Sequence, residues 1–406
     1  MTSSRITRWS GAVLCAAIAI FLLGSVGTGY AQLNLVYVTS NRSTAGMNSV
    51  AAFSNDGSGN LTPLAGSPYL TGGTGAGGST APTSGVLDAD QQVVINSAGT
   101  LLLAVNGHSN TVASFIINSD GTLTPVAGSP FPSSGKDPAA LGLFNNYMTN
   151  GDSLLTVVDK DADTTQTGGR PGYVNYRMTS GGVLSPIAGA LYAMPVGSNL
   201  SQALPDRALG LEFTDEFKAT PSTITARAVL PNGRMGVISS VPAPDGGALL
   251  GEVLHPTQNI LYATLPASNG LAVFTFDSTG HLTLANTVAN AGNTICWLAT
   301  NAAGTYLYSG NNGNGTVSVF DISDPTNPVE VQDFQLSGKS PHTLNVRVDP
   351  TGQFLYALDV THLHVLNISS LDGTLSETAP VVALPTPSAA ALGIATLELP
   401  AAAVKQ

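Results

Sequence analysis

A few polar side chains stand out in a chain that is otherwise poor in charge. Ser340-Pro341-His342-Thr343-Leu344 sets a histidine between a proline and an apolar run. A histidine needs little tuning to act as a general base near neutral pH; a solvated turn histidine is the plainer reading. Asp159-Lys160-Asp161-Ala162-Asp163 alternates carboxylates, as hard-cation loops require, yet lacks the glycine and closing glutamate of a helix-loop-helix calcium site. A metal there stays open, with a solvated turn as the default. Glu212, Asp215 and Glu216 form an acidic cluster that reads first as surface charge. His362 and His364 alternate along one strand face, too few ligands for a metal on their own. Cys296 lies in the apolar run Thr294 to Leu298 and reads as a small core hydrophobe rather than a reactive thiol. Gly72 to Gly78 follows a strand and opens no helix, so it is expected to be a flexible loop and not a phosphate cradle. No nucleophile elbow, zinc cysteine pair or dinucleotide fingerprint is found, and no cofactor is expected.

Some scaffold must hold these groups, and composition narrows the choice. Charged residues make up 10% and aromatics 6%, with 45 glycines and 25 prolines, a profile of many short strands joined by tight turns. Apolar residues at 43% exclude a disordered chain. At the start, Arg5 and Arg8 precede an apolar stretch from Gly11 to Val26, and Gly29-Tyr30-Ala31 ends on a small residue. Residues 1–31 are therefore expected to be a secretory signal peptide cut before Gln32. An uncleaved anchor is the alternative, although the run is short for a spanning helix. Cys15 lacks the small residues that precede a lipidated cysteine. Cleavage implies a secreted or periplasmic protein, with no membrane association and no internal disulfide, since Cys296 alone remains. Without Arg5 and Arg8 the chain carries 12 bases against 25 acids, a net charge of −13. That argues against nucleic acid, whose phosphates call for bases, and in favour of solubility.

The scaffold is visible as a repeat. Leu61-Thr-Pro-Leu-Ala-Gly-Ser-Pro-Tyr69 returns as Leu123-Thr-Pro-Val-Ala-Gly-Ser-Pro-Phe131 and, worn, as Leu184-Ser-Pro-Ile-Ala-Gly-Ala-Leu-Tyr192, at offsets of 62 and 61 residues. A period of that size means one supersecondary unit copied along the chain. Ile260-Leu-Tyr-Ala263, Tyr306-Leu-Tyr-Ser309 and Phe354-Leu-Tyr-Ala357 form a second motif, aligned with Leu35-Val-Tyr-Val38 and Leu101-Leu-Leu-Ala104. Each precedes a polar turn and another apolar run, the mark of an antiparallel hairpin. Four strands per unit is the pattern of a β-propeller blade. Spacing leaves room for one degenerate blade over residues 207–248, with strands Thr223 to Leu230 and Met235 to Val241, which makes seven blades. Blade one lacks its innermost strand, and Ala391 to Leu399 is a strand without a blade. The expected fold is thus an all-β, seven-bladed propeller of four-stranded antiparallel blades. It forms a single domain over residues 32–400, closed by the carboxyl-terminal strand, with a tail at 401–406. Closure hides the sheet edges.

This blade text resembles the seven-bladed propeller lactonases, the group of 6-phosphogluconolactonases and carboxymuconate lactonising enzymes, and the related Tyr-Val-Thr-Asn repeat proteins. Leu35-Val-Tyr-Val-Thr-Ser-Asn41 carries the latter motif with one insertion, and Val346-Arg-Val-Asp-Pro-Thr-Gly-Gln-Phe-Leu-Tyr356 is similar to the family's strand–turn–strand core. The resemblance implies that His342, after Pro341, is the site histidine, and that Ala357-Leu358-Asp359-Val360 is the family's acidic turn. The family's Pro-His step belongs to an earlier blade, where this chain has Asp137-Pro138-Ala139. Its Asn-Glu-Leu motif is expected after Leu261-Tyr262, where this chain has Thr264-Leu265-Pro266-Ala267. Propeller sites form where loops meet at the channel mouth. That places Arg42, Asn106, His108, Asp159, Lys160, Asp161, Arg207, His342 and Asp359 near it. His342, Arg207 and Asp359 are the expected catalytic residues, with His342 as base or acid. Asn106, His108, Lys136, Asp159 and Lys160 are the expected substrate contacts, and Arg207 or Lys136 would hold an anionic group. The implied function is binding, and hydrolysis, of a sugar lactone or related cyclic ester by an exported monomer. The alternative is a non-catalytic periplasmic or cell-surface scaffold that holds a glycan or a protein.

Overall fold

The computed structural model describes residues 1, 32–77, 89–160, 166, 168–217, 222–339, 342–385 and 392–400. The expected leader, apart from Met1, and the tail at 401–406 lie outside the described residues.

Seven antiparallel sheets stand around a central axis, each meeting its neighbours through its innermost strand. From the axis outward, blade one is Ile394–Leu399, Leu33–Thr39, Ser49–Asn55 and Leu61–Pro63. Blade two is Val93–Ile95, Leu101–Asn106, Thr111–Ile117 and Leu123–Pro125. Blade three is Pro138–Phe144, Ser153–Asp159, Gly172–Met178 and Leu184–Ala193. The expected degenerate unit is blade four: Leu200–Asp206, Leu211–Glu216, Thr223–Val229 and Met235–Pro242. Blade five is Leu250–Leu254, Ile260–Leu265, Gly270–Phe276 and Leu282–Ala289. Blade six is Ile295–Thr300, Tyr306–Asn311, Thr316–Asp321 and Val329–Gln335. Blade seven is Asn345–Val348, Phe354–Leu358, His362–Ile368 and Leu375–Glu377. The expected seal is present: Leu33 pairs with Leu399 and Val38 with Ile394, so the last strand completes the first blade.

Strand alternation builds the core. Side chains of a strand point to opposite faces in turn, and in a propeller both faces meet another blade. Leu35 and Tyr37 pack with Val93, Leu102 and Phe115 of blade two, while Val36 and Val38 pack with Tyr356, Leu363 and Val365 of blade seven. Each such apolar side chain stabilises the ring by about 1.5–3 kcal/mol when fully buried.

The tyrosine motif has a purpose that the sequence alone does not reveal. Tyr37 donates to Gly121 O at 2.8 Å, Tyr262 to Pro325 O at 2.8 Å and Tyr308 to Gly373 O at 3.2 Å. In each case a second-strand tyrosine reaches the outer hairpin turn of the next blade. Asn55 closes the series by donating to the Tyr356 hydroxyl at 2.8 Å, from blade one back to blade seven. At Gly373 the turn needs a φ of 68° and lies so close to the Tyr306 ring that a Cβ would stand 2.4 Å from it.

The repeated Leu-Thr-Pro text is a broken outer strand. Leu61–Pro63 and Tyr69–Leu70 both pair with Ser49–Asn55. Between them the Ser67 hydroxyl accepts from Ala52 N at 2.9 Å, which fills the gap in the ladder. Ser129 does the same for Ser114 N in blade two. Blade three has Ala190 at the serine position, and there the outer strand runs unbroken from Leu184 to Ala193.

Candidate functional site

Antiparallel blades sort their connections by end. Links from second to third strand, and from each outer strand to the next inner strand, gather at one end of the ring; the remaining turns gather at the other. Most of the residues singled out from the sequence stand at the first, which we term the loop end.

On the side of blades one and two that end is a closed polar network. Asn106 is fully buried. Its Oδ1 accepts from Asn48 Nδ2 at 2.8 Å and from the Thr71 hydroxyl at 2.6 Å, and its Nδ2 donates to Thr111 Oγ1 at 3.0 Å. The glycine run, described to Gly77, is a packed strap rather than a loose loop. Gly75 N donates to Arg42 O at 2.7 Å, and a Cβ at Gly75 would stand 2.3 Å from the Asn41 carbonyl carbon. His108 is exposed, and Lys136 is half-buried in the link from blade two to blade three.

The side of blades three to five is different. Asp159 and Lys160 end the second strand of blade three and are both buried. Asp161 and Asp163 lie outside the described residues. Glu212 and Asp215, expected on the surface, are buried too, at 0% and 1% exposure. The alternation in Leu211-Glu-Phe-Thr-Asp215 looks like a strand with one wet face, but blade three covers that face. Glu212 has the Thr156 hydroxyl and the Arg227 guanidinium nearby; burial outweighs both and lifts its carboxyl to about 7. Arg227 is buried between the Tyr173 and Tyr192 rings, 5.0 and 4.1 Å from their centroids, and donates from Nε to Thr214 Oγ1 at 3.1 Å.

Asp215 and Glu252 are the central pair. The Ser201 hydroxyl donates to Asp215 Oδ2 at 2.8 Å, and the charge of Lys160 acts on the same carboxylate. Burial still raises the Asp215 carboxyl, against the pull of both. Glu252 stands on the innermost strand of blade five, and neither of its carboxyl oxygens has a hydrogen-bond partner among the described residues. Burial, then the charges of Asp215 and Glu212, push it well above the ordinary carboxylate range. A buried unpaired carboxylate costs several kcal/mol, so the site favours the protonated form of Glu252. Its backbone is fixed: Glu252 N donates to Gln202 Oε1 at 2.8 Å, and Gln202 Nε2 donates to Glu252 O at 2.9 Å.

His342 stands in the link from blade six to blade seven. Its Nδ1 lies 2.8 Å from Asn312 O. A carbonyl only accepts, so Nδ1 carries the proton and Nε2 is the basic nitrogen of the neutral ring. Asp359 belongs to a separate chain of charges. His364 is buried, with Nδ1 2.7 Å from Glu377 Oε1 and Nε2 3.4 Å from Asp359 Oδ2. Burial opposes its charge, but hydrogen bonds to the two carboxylates prevail and raise it to about 9. Burial also works against ionised Asp359; hydrogen bonds from His364 and from the N–H groups of Thr361 and His362 overcome it and hold the carboxyl low. Glu377 Oε2 accepts from Ser337 N at 2.8 Å, which ties this chain to the link that bears His342. The histidine pair is thus one buried and one half-exposed residue. Among the described residues no group of three or more His, Cys, Asp or Glu side chains is placed to hold a metal.

The structure does not bring Arg207 to these residues. It lies in the turn between the first and second strands of blade four, at the opposite end, where its guanidinium donates to Asn145 O at 2.6 Å and Asn146 O at 3.1 Å. His255 also serves a turn there, with Nδ1 accepting from Thr257 N at 3.2 Å and Gln258 N at 3.1 Å. An acidic step does close a second strand, one blade before the expected position: Phe213-Thr214-Asp215-Glu216-Phe217 at the loop end of blade four. Glu252 carried no local motif; only its place on an inner strand, preceded by Leu249, Leu250 and Gly251, signalled burial.

Residues 252–390, about a third of the chain, match the family described as Lactonase, 7-bladed beta-propeller. The fold is that of the periplasmic gluconolactonase of Pseudomonas aeruginosa, at a TM-score of 0.70 and 14% identity, covering 91% of this chain and 100% of that one. A protein from Lactobacillus plantarum is similar at 0.69 and 15%, covering 90% and 99%. One of unknown function from Desulfotomaculum acetoxidans follows at 0.61 and 12%, covering 89% and 98%. No curated protein matches the chain in sequence.

Proposed function

We propose that the protein hydrolyses a lactone or related cyclic ester at the loop end of its channel, with Asp215 and Glu252 as base and acid. One observation carries this reading: two buried carboxyl groups share a site but not an environment. Lys160 and Ser201 favour ionised Asp215, while Glu252 has no such help and feels the charges of Asp215 and Glu212. Environments that split two carboxyl groups in this way assign one as base and one as acid. Ionised Asp215 takes a proton from water as the water oxygen bonds to the ester carbonyl carbon. The ring C–O bond then breaks, and Glu252 gives its proton to the departing oxygen, leaving a hydroxy acid. His342, with its basic Nε2, is the second candidate for the base. Asp359 positions the His342 link through His364 and Glu377, and Lys136, His108, Asp159 and Lys160 are the proposed substrate contacts. The net charge of −13 disfavours a sugar phosphate and favours a neutral lactone.

The family match over residues 252–390 and the likeness to a periplasmic gluconolactonase support this reading. The leader pattern supports export to the periplasm or medium, which mass spectrometry of the exported protein tests: its first residue should be Gln32. The scaffold reading draws on the closed Asn48–Thr71–Asn106 network, whose hydrogen bonds are spent within the protein. Acid release in a pH-stat, over a panel of aldonolactones and aliphatic lactones, separates the two. Hydrolysis above the uncatalysed rate is expected; none across the panel would leave the scaffold.

A further inference from the structure

The channel holds a second polar site, on the side of blades one, two and seven. A pocket of about 220 Å³ opens there between the inner strands, with Val93, Val94, Ile95 and Ile394 as apolar wall and Arg347, Gln91 and Thr396 as its polar members. Arg347 spends two of its five N–H donors: Nε reaches Ile394 O at 3.3 Å and Nη2 reaches Asp90 Oδ1 at 3.5 Å. Its Nη1 makes no hydrogen bond among the described residues. Gln91 holds a left-handed backbone at φ 60°, rare outside glycine and asparagine. Gln91 N donating to Asp90 Oδ1 at 2.6 Å and Gln91 O accepting from Leu141 N at 3.1 Å hold it there. Its side-chain Oε1 is buried without a partner. Backbone strain of this kind gathers at ligand clamps, and a buried acceptor left unmet costs about as much as a lost hydrogen bond.

We propose that this pocket binds a small aliphatic hydroxy acid, its carboxylate on Arg347 and its hydroxyl donating to Gln91 Oε1. The guanidinium fork matches a carboxylate, the acceptor calls for a donor, and the wall calls for a short hydrocarbon body. A volume below the usual range of drug-sized sites limits the ligand to about a dozen non-hydrogen atoms. Asp90 joins this pocket to the Asp215 side, its N donating to Ser201 O at 3.3 Å, but no residue of the pocket takes part in the proposed hydrolysis, although a ring-opened lactone belongs to the same chemical class.

Isothermal titration calorimetry of the whole protein with 4-hydroxypentanoate, pentanoate and 1-pentanol tests the assignment. The hydroxy acid is expected to bind with a dissociation constant on the order of 1 mM or tighter, the plain acid about fivefold more weakly, and the alcohol not at all. Gln91→Gly, whose backbone accepts this φ without strain, should lose the hydroxyl preference and leave lactone hydrolysis unchanged. Arg347→Gln should weaken both acids about tenfold or more. Arg347 also braces Ile394 and Asp90, so if that variant fails to fold, Gln91→Gly decides. No binding by the wild type, equal binding of the alcohol, or a hydroxyl preference that survives Gln91→Gly would each overturn the proposal.

Discussion

Glu212 shows how far a single side chain can govern the response to pH. In the folded chain it keeps its proton up to about 7, against 4.5 for an ordinary glutamate. Between those values the folded state binds more protons than the unfolded one, so stability falls as pH rises through that window. The effect is about 3 kcal/mol at most. Glu212→Gln should flatten the slope, read as urea midpoints below about 4.5 and above about 7. His364 has a different window. Its folded value of about 9 exceeds the usual 6.5, so its contribution is complete below 6.5 and is lost as pH rises through about 9. His364→Asn leaves Asp359 and Glu377 buried with no positive charge between them and should cost about 3–5 kcal/mol at neutral pH, measured by chemical unfolding. The sequence hid these roles for a physical reason. Charge is normally solvated, and an alternating strand normally has one wet face; Glu212 and Asp215 break both rules because blade three and blade five cover the two sides of their strand.

Among the elements, rhythm was legible and wiring was not. Four runs per unit, the missing inner strand of blade one and the spare strand at the end are all readable from apolar spacing, because a blade cannot bury its faces without neighbours. Which atoms join the blades is not, since Tyr308 and Gly373 are 65 residues apart. The broken outer strands of blades one and two likewise required Ser67 and Ser129 to be seen against the ladder. Tyr308→Phe should leave the Gly373 carbonyl without this donor and cost about 1–2 kcal/mol in the urea midpoint. Ending the chain before Ile394 should do far more. It strips the edge of Leu33–Thr39, and an exposed edge of that length invites pairing between chains, so loss of monomer on size-exclusion chromatography is the expected result.

Seen as a whole, the molecule is a ring with two unlike ends. The sequence identifies strands and turns but not which turns share an end, which is why Arg207 and His342, both polar turn residues, belong to opposite ends. The loop end concentrates the buried titratable groups, and the central claim is that Asp215 and Glu252 there open a cyclic ester. Its most direct test is kcat/KM as a function of pH on the best lactone of the panel, for wild type, Glu252→Gln, Asp215→Asn and His342→Ala, each first checked for an unchanged fold. A loss of about 100-fold or more is predicted for Glu252→Gln and Asp215→Asn, with a smaller one for His342→Ala. Undiminished turnover in both carboxyl variants would contradict the account.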